Sequence, residues 1–127
     1  MAVLELARGA READLVVARG RLDALIARRP SFALARSLRA RVMANLVMDY
    51  GHANDLAAAA VAEAQALVAH YPFAADFRYT LARAEWAAGN RTAALDHLNA
   101  AARSMPFVRR DIQALEREIA AARVSNR

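Results

Sequence analysis

Residues 75–108 read ADFRYTLARAEWAAGNRTAALDHLNAAARSMPFV, and the punctuation of this stretch decides the fold. Gly89-Asn90 stands near its middle and Pro106 near its end. Glycine tolerates the left-handed conformation that ends a helix, and an Asn side chain can accept a hydrogen bond from the first turn of the next helix. Before this pair, Phe77, Leu81, Ala84 and Ala88 recur at helical spacing. After it, Ala94, Leu98, Ala101 and Met105 do the same until proline stops the helix. The stretch predicts two helices joined by a tight turn.

The same pattern extends in both directions. Towards the N-terminus, Leu15, Ala18, Leu22 and Leu25 form one stripe before Pro30, and Leu34, Leu38, Val42 and Leu46 form another before Gly51. Ser31 after Pro30 reads as a helix cap, and Asn54 or Asp55 can cap a helix holding Ala60, Ala64 and Leu67, which ends before Pro72. Towards the C-terminus, Val108, Ile112, Leu115, Ile119 and Ala122 give one apolar face with a charged back. The first residues admit two readings. Ala2 to Arg8 is either the end of a hairpin, or part of one long helix to Arg29 that carries about 1 kcal/mol of cost at each of its glycines.

Composition agrees with an all-α chain. Alanine, the best helix former, supplies 35 of 127 residues, while only four glycines and three prolines interrupt it. The interruptions are themselves periodic. Gly9 and Gly51 are 42 residues apart, as are Pro30 and Pro72, and Pro106 follows 34 residues later. Periods of about 34 to 45 residues point to helical hairpins stacked in series, because no such unit buries its apolar face alone. The expected architecture is a single domain over 1–127 of five or six helices. It has irregular units at 1–30 and 31–72, the best unit at 75–108 and a capping helix at 108–124. An irregular four-helix bundle is the structural alternative.

Within 75–108 the residues resemble one tetratricopeptide repeat. Leu81-Ala82 match the large and small pair of that family's first helix, and Gly89 and Asn90 match its turn. Ala94, Leu98 and Ala101 match the small, large, small pattern of its second helix, and Pro106 matches the closing proline. Arg78 and Glu85 depart from it, standing where the family carries large aromatics, with Tyr79 and Trp86 one residue later. The unit at 31–72 is four residues longer between Gly51 and Pro72 than its counterpart between Gly89 and Pro106.

The resemblance implies a non-catalytic scaffold for protein–protein interaction, whose first helices line a concave groove for a peptide or partner helix. Carried onto this chain, the groove residues are Asp76, Tyr79, Arg83 and Trp86, with Arg36 and Arg39 from the preceding unit and Arg110, Gln113 and Arg117 from the last helix. Tyr79 and Trp86 fit the core as well as the groove. With several arginines around it, such a groove favours an acidic partner segment. Arg83→Glu is then expected to weaken binding and leave the fold intact.

Charge qualifies this reading. The net charge is +5, and all 18 basic residues are arginine, a usage that also fits a GC-rich coding sequence. Seven arginines lie between Arg19 and Arg41 against the single acid Asp23, so nucleic acid is the rival partner. No helix-turn-helix signature or basic–aromatic interleaving accompanies them.

No catalytic or cofactor motif stands out. His52, His70 and His97 share no metal-ligand spacing, and there are no cysteines. Ser31, Ser37, Ser104 and Ser125 lack a G-x-S-x-G elbow, and the glycines are too far apart for a phosphate loop. The expectation is no enzyme, no metal and no cofactor. The N-terminus lacks a secretion signal's basic start and apolar centre, and no run of about 18 apolar residues could span a bilayer. A cytoplasmic protein is favoured, or a periplasmic one if the chain is an accessory domain of a larger bacterial envelope or secretion protein. The stripe at 108–124 also offers a seam for a homo-oligomer.

Overall fold

The computed structural model describes residues 11–104, together with Arg117, Glu118 and Ala121. Among these residues every regular element is an α-helix. The five are α1 (Glu12–Arg28), α2 (Ala33–Tyr50), α3 (Asn54–His70), α4 (Ala75–Ala87) and α5 (Arg91–Ser104). The all-α class expected from alanine content and punctuation is therefore found. The predicted capping helix at 108–124 and the alternatives for Ala2 to Arg8 lie outside the described residues. The exceptions are Arg117, Glu118 and Ala121, which are helical and exposed.

Glycine and loop geometry end the helices where the punctuation predicts. Gly89 has φ +87°, and the Asn90 N–H donates to the Glu85 carbonyl (2.8 Å) while the Gly89 N–H donates to that of Trp86 (3.1 Å). This pair of bonds satisfies carbonyls that the end of α4 would otherwise leave without partners. Gly51, at φ +68°, closes α2 in the same left-handed region. A side chain at either position would be strained.

The expected caps differ in detail. α2 starts after Phe32 rather than Ser31, and α3 starts after Ala53, neither with a side-chain cap. Asn90 uses its side-chain amide to reach back to Glu85 Oε1 (3.2 Å), so it ties the turn to α4 instead of capping α5.

Each helix packs on the next in sequence, and α2 also packs on α4. The buried contact of α1 with α2 is carbon: Leu15, Ala18 and Leu22 against Ala35, Leu38, Val42 and Leu46. α4 meets α5 through small residues, with Ala75, Ala82, Ala94 and Ala101 around Tyr79 and Leu98. Alanine at these crossings lets the two backbones approach closely. Ala40 and Met43 of α2 meet Ala60 of α3 and Ala84 of α4 in a third cluster.

Two helices are buried well beyond one stripe. α2 buries nine residues, including Ser37 and Asn45, because α1, α3 and α4 all pack against it. In α4 every residue from Tyr79 to Glu85 is buried. The stripe expected there, Phe77–Leu81–Ala84–Ala88, holds only at its centre, since Phe77 is half-buried and Ala88 exposed. Leu34, placed in the core stripe of α2, is 38% exposed at the start of that helix.

Candidate partner-binding site

Three of the residues expected to face a ligand, Asp76, Tyr79 and Arg83, converge on the contact between α2 and α4. On α2, Ser37, Arg41 and Asn45 lie four residues apart and share one face. On α4 they meet Asp76, Tyr79, Thr80 and Arg83. The Ser37 and Thr80 hydroxyl oxygens are 2.7 Å apart, and both residues are wholly buried. Arg41 donates from Nε to Thr80 Oγ1 (2.7 Å) and from Nη2 to the Asp76 carbonyl (3.2 Å), and it also pairs with the Asp76 carboxylate.

The protons in this cluster can be assigned by counting. Thr80 Oγ1 donates its one hydrogen to the Asp76 carbonyl (3.2 Å). It has two lone pairs left. One accepts from Arg41 Nε, so the other accepts from Ser37, which is the donor of that pair.

Arg83 and Tyr79 complete the seam. Arg83 Nη2 donates to Asn45 Oδ1, and Nη1 to the Tyr79 hydroxyl (3.2 Å). Tyr79 is flanked by two guanidiniums, with Arg41 5.2 Å and Arg83 5.9 Å from its ring centre, both within cation–π range. Only 5% of Tyr79 and 6% of Arg83 reach solvent. Of the two roles the sequence left open for Tyr79, the structure gives it the core one. Trp86 is half-buried, packed on the α4–α5 core with the Arg91 guanidinium 5.5 Å from its ring centre.

The burial of Arg83 also changes what its substitution does. On the sequence alone, Arg83→Glu should spare the fold. In a buried seam it removes the donor to Asn45 and Tyr79 and puts a third carboxylate on α4 beside Asp76 and Glu85, so it attacks stability directly.

Arg36 and Arg39 lie on another side of α2, where both hold Glu63 of α3. Arg36 grips it with two bonds, Nε to Oε1 (3.2 Å) and Nη2 to Oε2 (3.0 Å), and Arg39 Nη2 donates to Oε1 (2.9 Å). Arg39 also reaches Asp23 of α1 (3.1 Å), so one side chain joins three helices. The bond to Glu63 raises the Arg36 pKa against the opposing effect of burial. Burial alone would raise the pKa of Glu63, but the hydrogen bonds from Arg36 and Arg39 outweigh it and hold the carboxyl below its ordinary value.

Arg110 and Gln113 lie outside the described residues, and Arg117 is exposed. Four residues of this site escaped the sequence reading: Thr80 on α4, and Ser37, Arg41 and Asn45 on α2. The four-residue spacing on α2 was legible, but a polar stripe on a helix is ordinarily its wet face, and only the packing of α4 makes it an interior one.

Among the described residues no group of three or more His, Asp or Glu side chains could hold a metal ion. No described helix is long and apolar enough to cross a membrane. His97 on α5 has its pKa lowered by burial and by Arg78, with Glu85 and Asp96 opposing. Compared with known proteins, the chain matches no family model, no curated protein and no solved structure.

Proposed function

We propose that this chain is a non-catalytic protein–protein interaction scaffold of tetratricopeptide-like hairpins, stacked in series, that holds an acidic partner segment along α2 and α4. The observation that carries the reading is the α2–α4 seam. Ser37 meets Thr80, Arg41 meets Asp76 and Thr80, and Asn45 meets Arg83, so α2 and α4 lie against each other over more than two turns of α2, as first helices of successive units would. Serial packing of this kind produces extended binding faces. The resemblance of 75–108 to the repeat family adds the close crossing of α4 and α5 through Ala82, Ala94 and Ala101.

Charge gives the partner its sign. Across α2 and α4, five arginines (Arg36, Arg39, Arg41, Arg78 and Arg83) stand against three acids (Asp49, Asp76 and Glu85), so the two helices together carry an excess of positive charge. Excess positive potential steers acidic segments and sets their orientation more than it adds raw affinity.

The test is selection from a random peptide display on the full chain, with a photo-crosslinker on the enriched peptides. Enrichment of Asp and Glu with crosslinks at Arg36, Asp76 or Trp86 is expected. Enrichment of no sequence, or crosslinks that avoid α2 and α4, would remove the proposal.

A further inference from the structure

α1 and α2 form a second surface that shares no residue with α4. Beside the loop that joins them is an open depression of about 180 Å³, floored by Leu22, Leu25, Phe32, Leu34 and Leu38, with Arg21 also lining it. Its walls are carbon almost throughout. Size restricts the occupant. Pockets for whole small molecules run to about 300–1,000 Å³. An apolar cavity of about 150 Å³ takes benzene. The depression therefore suits one aromatic ring or one branched aliphatic side chain.

Its rim is cationic. Arg21, Leu25 and Arg28 follow at steps of four and three on one face of α1, so a guanidinium stands on either side of Leu25. Arg29 lies over the Phe32 ring at 4.5 Å. Arg36, Arg39 and Arg41 each hold a carboxylate, whereas no carboxylate among the described residues lies within 4.0 Å of Arg21, Arg28 or Arg29. Guanidiniums around a dry hollow match carboxylates around a bulky apolar group.

We infer that this depression is a docking site for a partner protein segment that inserts one large apolar side chain between flanking Asp or Glu residues. The site is separate from the α2–α4 face, so either proposal can fail alone. A nucleic-acid duplex would satisfy the arginines but leave the carbon floor empty, because its bases stay stacked.

The test is a methyl NMR titration of the full chain with the peptide acetyl-Glu-Asp-Leu-Phe-Asp-Glu-amide. Saturable shifts are expected at the Leu22, Leu25, Leu34 and Leu38 methyls. Leu34→Glu and Arg21→Glu, both at exposed positions, are each expected to weaken binding about tenfold with melting temperature unchanged. Peptides with Ala-Ala for Leu-Phe, or Lys for the acids, should not bind. The inference is overturned by the absence of shifts up to about 1 mM peptide, the weakest affinity worth assigning. Equal binding of the lysine peptide, indifference to both variants, the same shifts from a short DNA duplex, or shifts that grow with protein concentration alone would also overturn it.

Discussion

α2 shows two ways of holding a helix in place. Towards α1 it presents Ala35, Leu38, Val42 and Leu46, whose contacts are carbon, with the Arg39–Asp23 pair at the exposed edge. Towards α4 it presents Ser37, Arg41 and Asn45, which bond to polar groups beside the apolar contact of Ala40 and Met43 with Ala84. The first contact is strong and undemanding, because apolar burial has no direction and tolerates repacking. The second fixes register, because each donor has one acceptor in place and a slip leaves buried polar groups without partners. In the scaffold we propose, the second kind would lie between units, where nothing in the chain's local connectivity sets the alignment.

Substitutions at the two contacts should therefore fail differently. Arg83→Glu has the largest expected effect, about 3–5 kcal/mol, since it breaks a buried charged network from within. Urea denaturation measures it, and a loss below about 1 kcal/mol would mean that Arg83 is solvated in solution. Leu46→Ala on the carbon side should cost about 2–5 kcal/mol by cavity formation. The native state should survive it with unchanged chemical shifts in α4.

Thr80→Val comes next, at about 1–3 kcal/mol. It keeps the shape but leaves the Ser37 hydroxyl and Arg41 Nε without an acceptor. If it proves neutral, the hydroxyl cluster contributes nothing to register.

Glu63→Gln should cost about 1 kcal/mol or less, because the Arg36 and Arg39 partners remain partly solvated. Its signature is in acid. The folded carboxyl has a depressed pKa, so its contribution is complete above the ordinary value of about 4.3 and disappears as pH falls through the folded value. The wild-type protein and the Glu63→Gln variant should thus converge in stability at low pH. His97 gives the smallest effect. Its depressed pKa means that stability declines as pH falls below about 6.5, where the unfolded chain takes up a proton first, and His97→Gln should flatten that slope.

The helices were legible because alanine, glycine and proline act locally. Gly89 and Gly51 adopt the left-handed conformation their places required, and Ala82, Ala94 and Ala101 meet as their spacing predicted. The site was legible only in part. Asp76, Tyr79 and Arg83 do converge, but on α2 rather than on solvent. Periodicity shows which residues share a face and cannot show how many neighbours a helix has. α2 and α4 are each packed on three sides, so apolar stripes understate what they bury. The caps failed for a related reason, since Ser31 and Asn90 compete with a loop whose path is set by the packing of α1 and α4. The depression at Leu34 was hidden because a leucine in register reads as core even where its helix begins beyond its neighbour.

The most direct test of the register-fixing seam is a double-mutant cycle in urea on Asn45→Ala and Arg83→Met. Contact between these side chains predicts a coupling energy above about 1 kcal/mol, with the double variant less destabilised than the sum of the single ones. Additivity within about 0.5 kcal/mol would show that α2 and α4 do not meet through this pair, and the serial packing would lose its support.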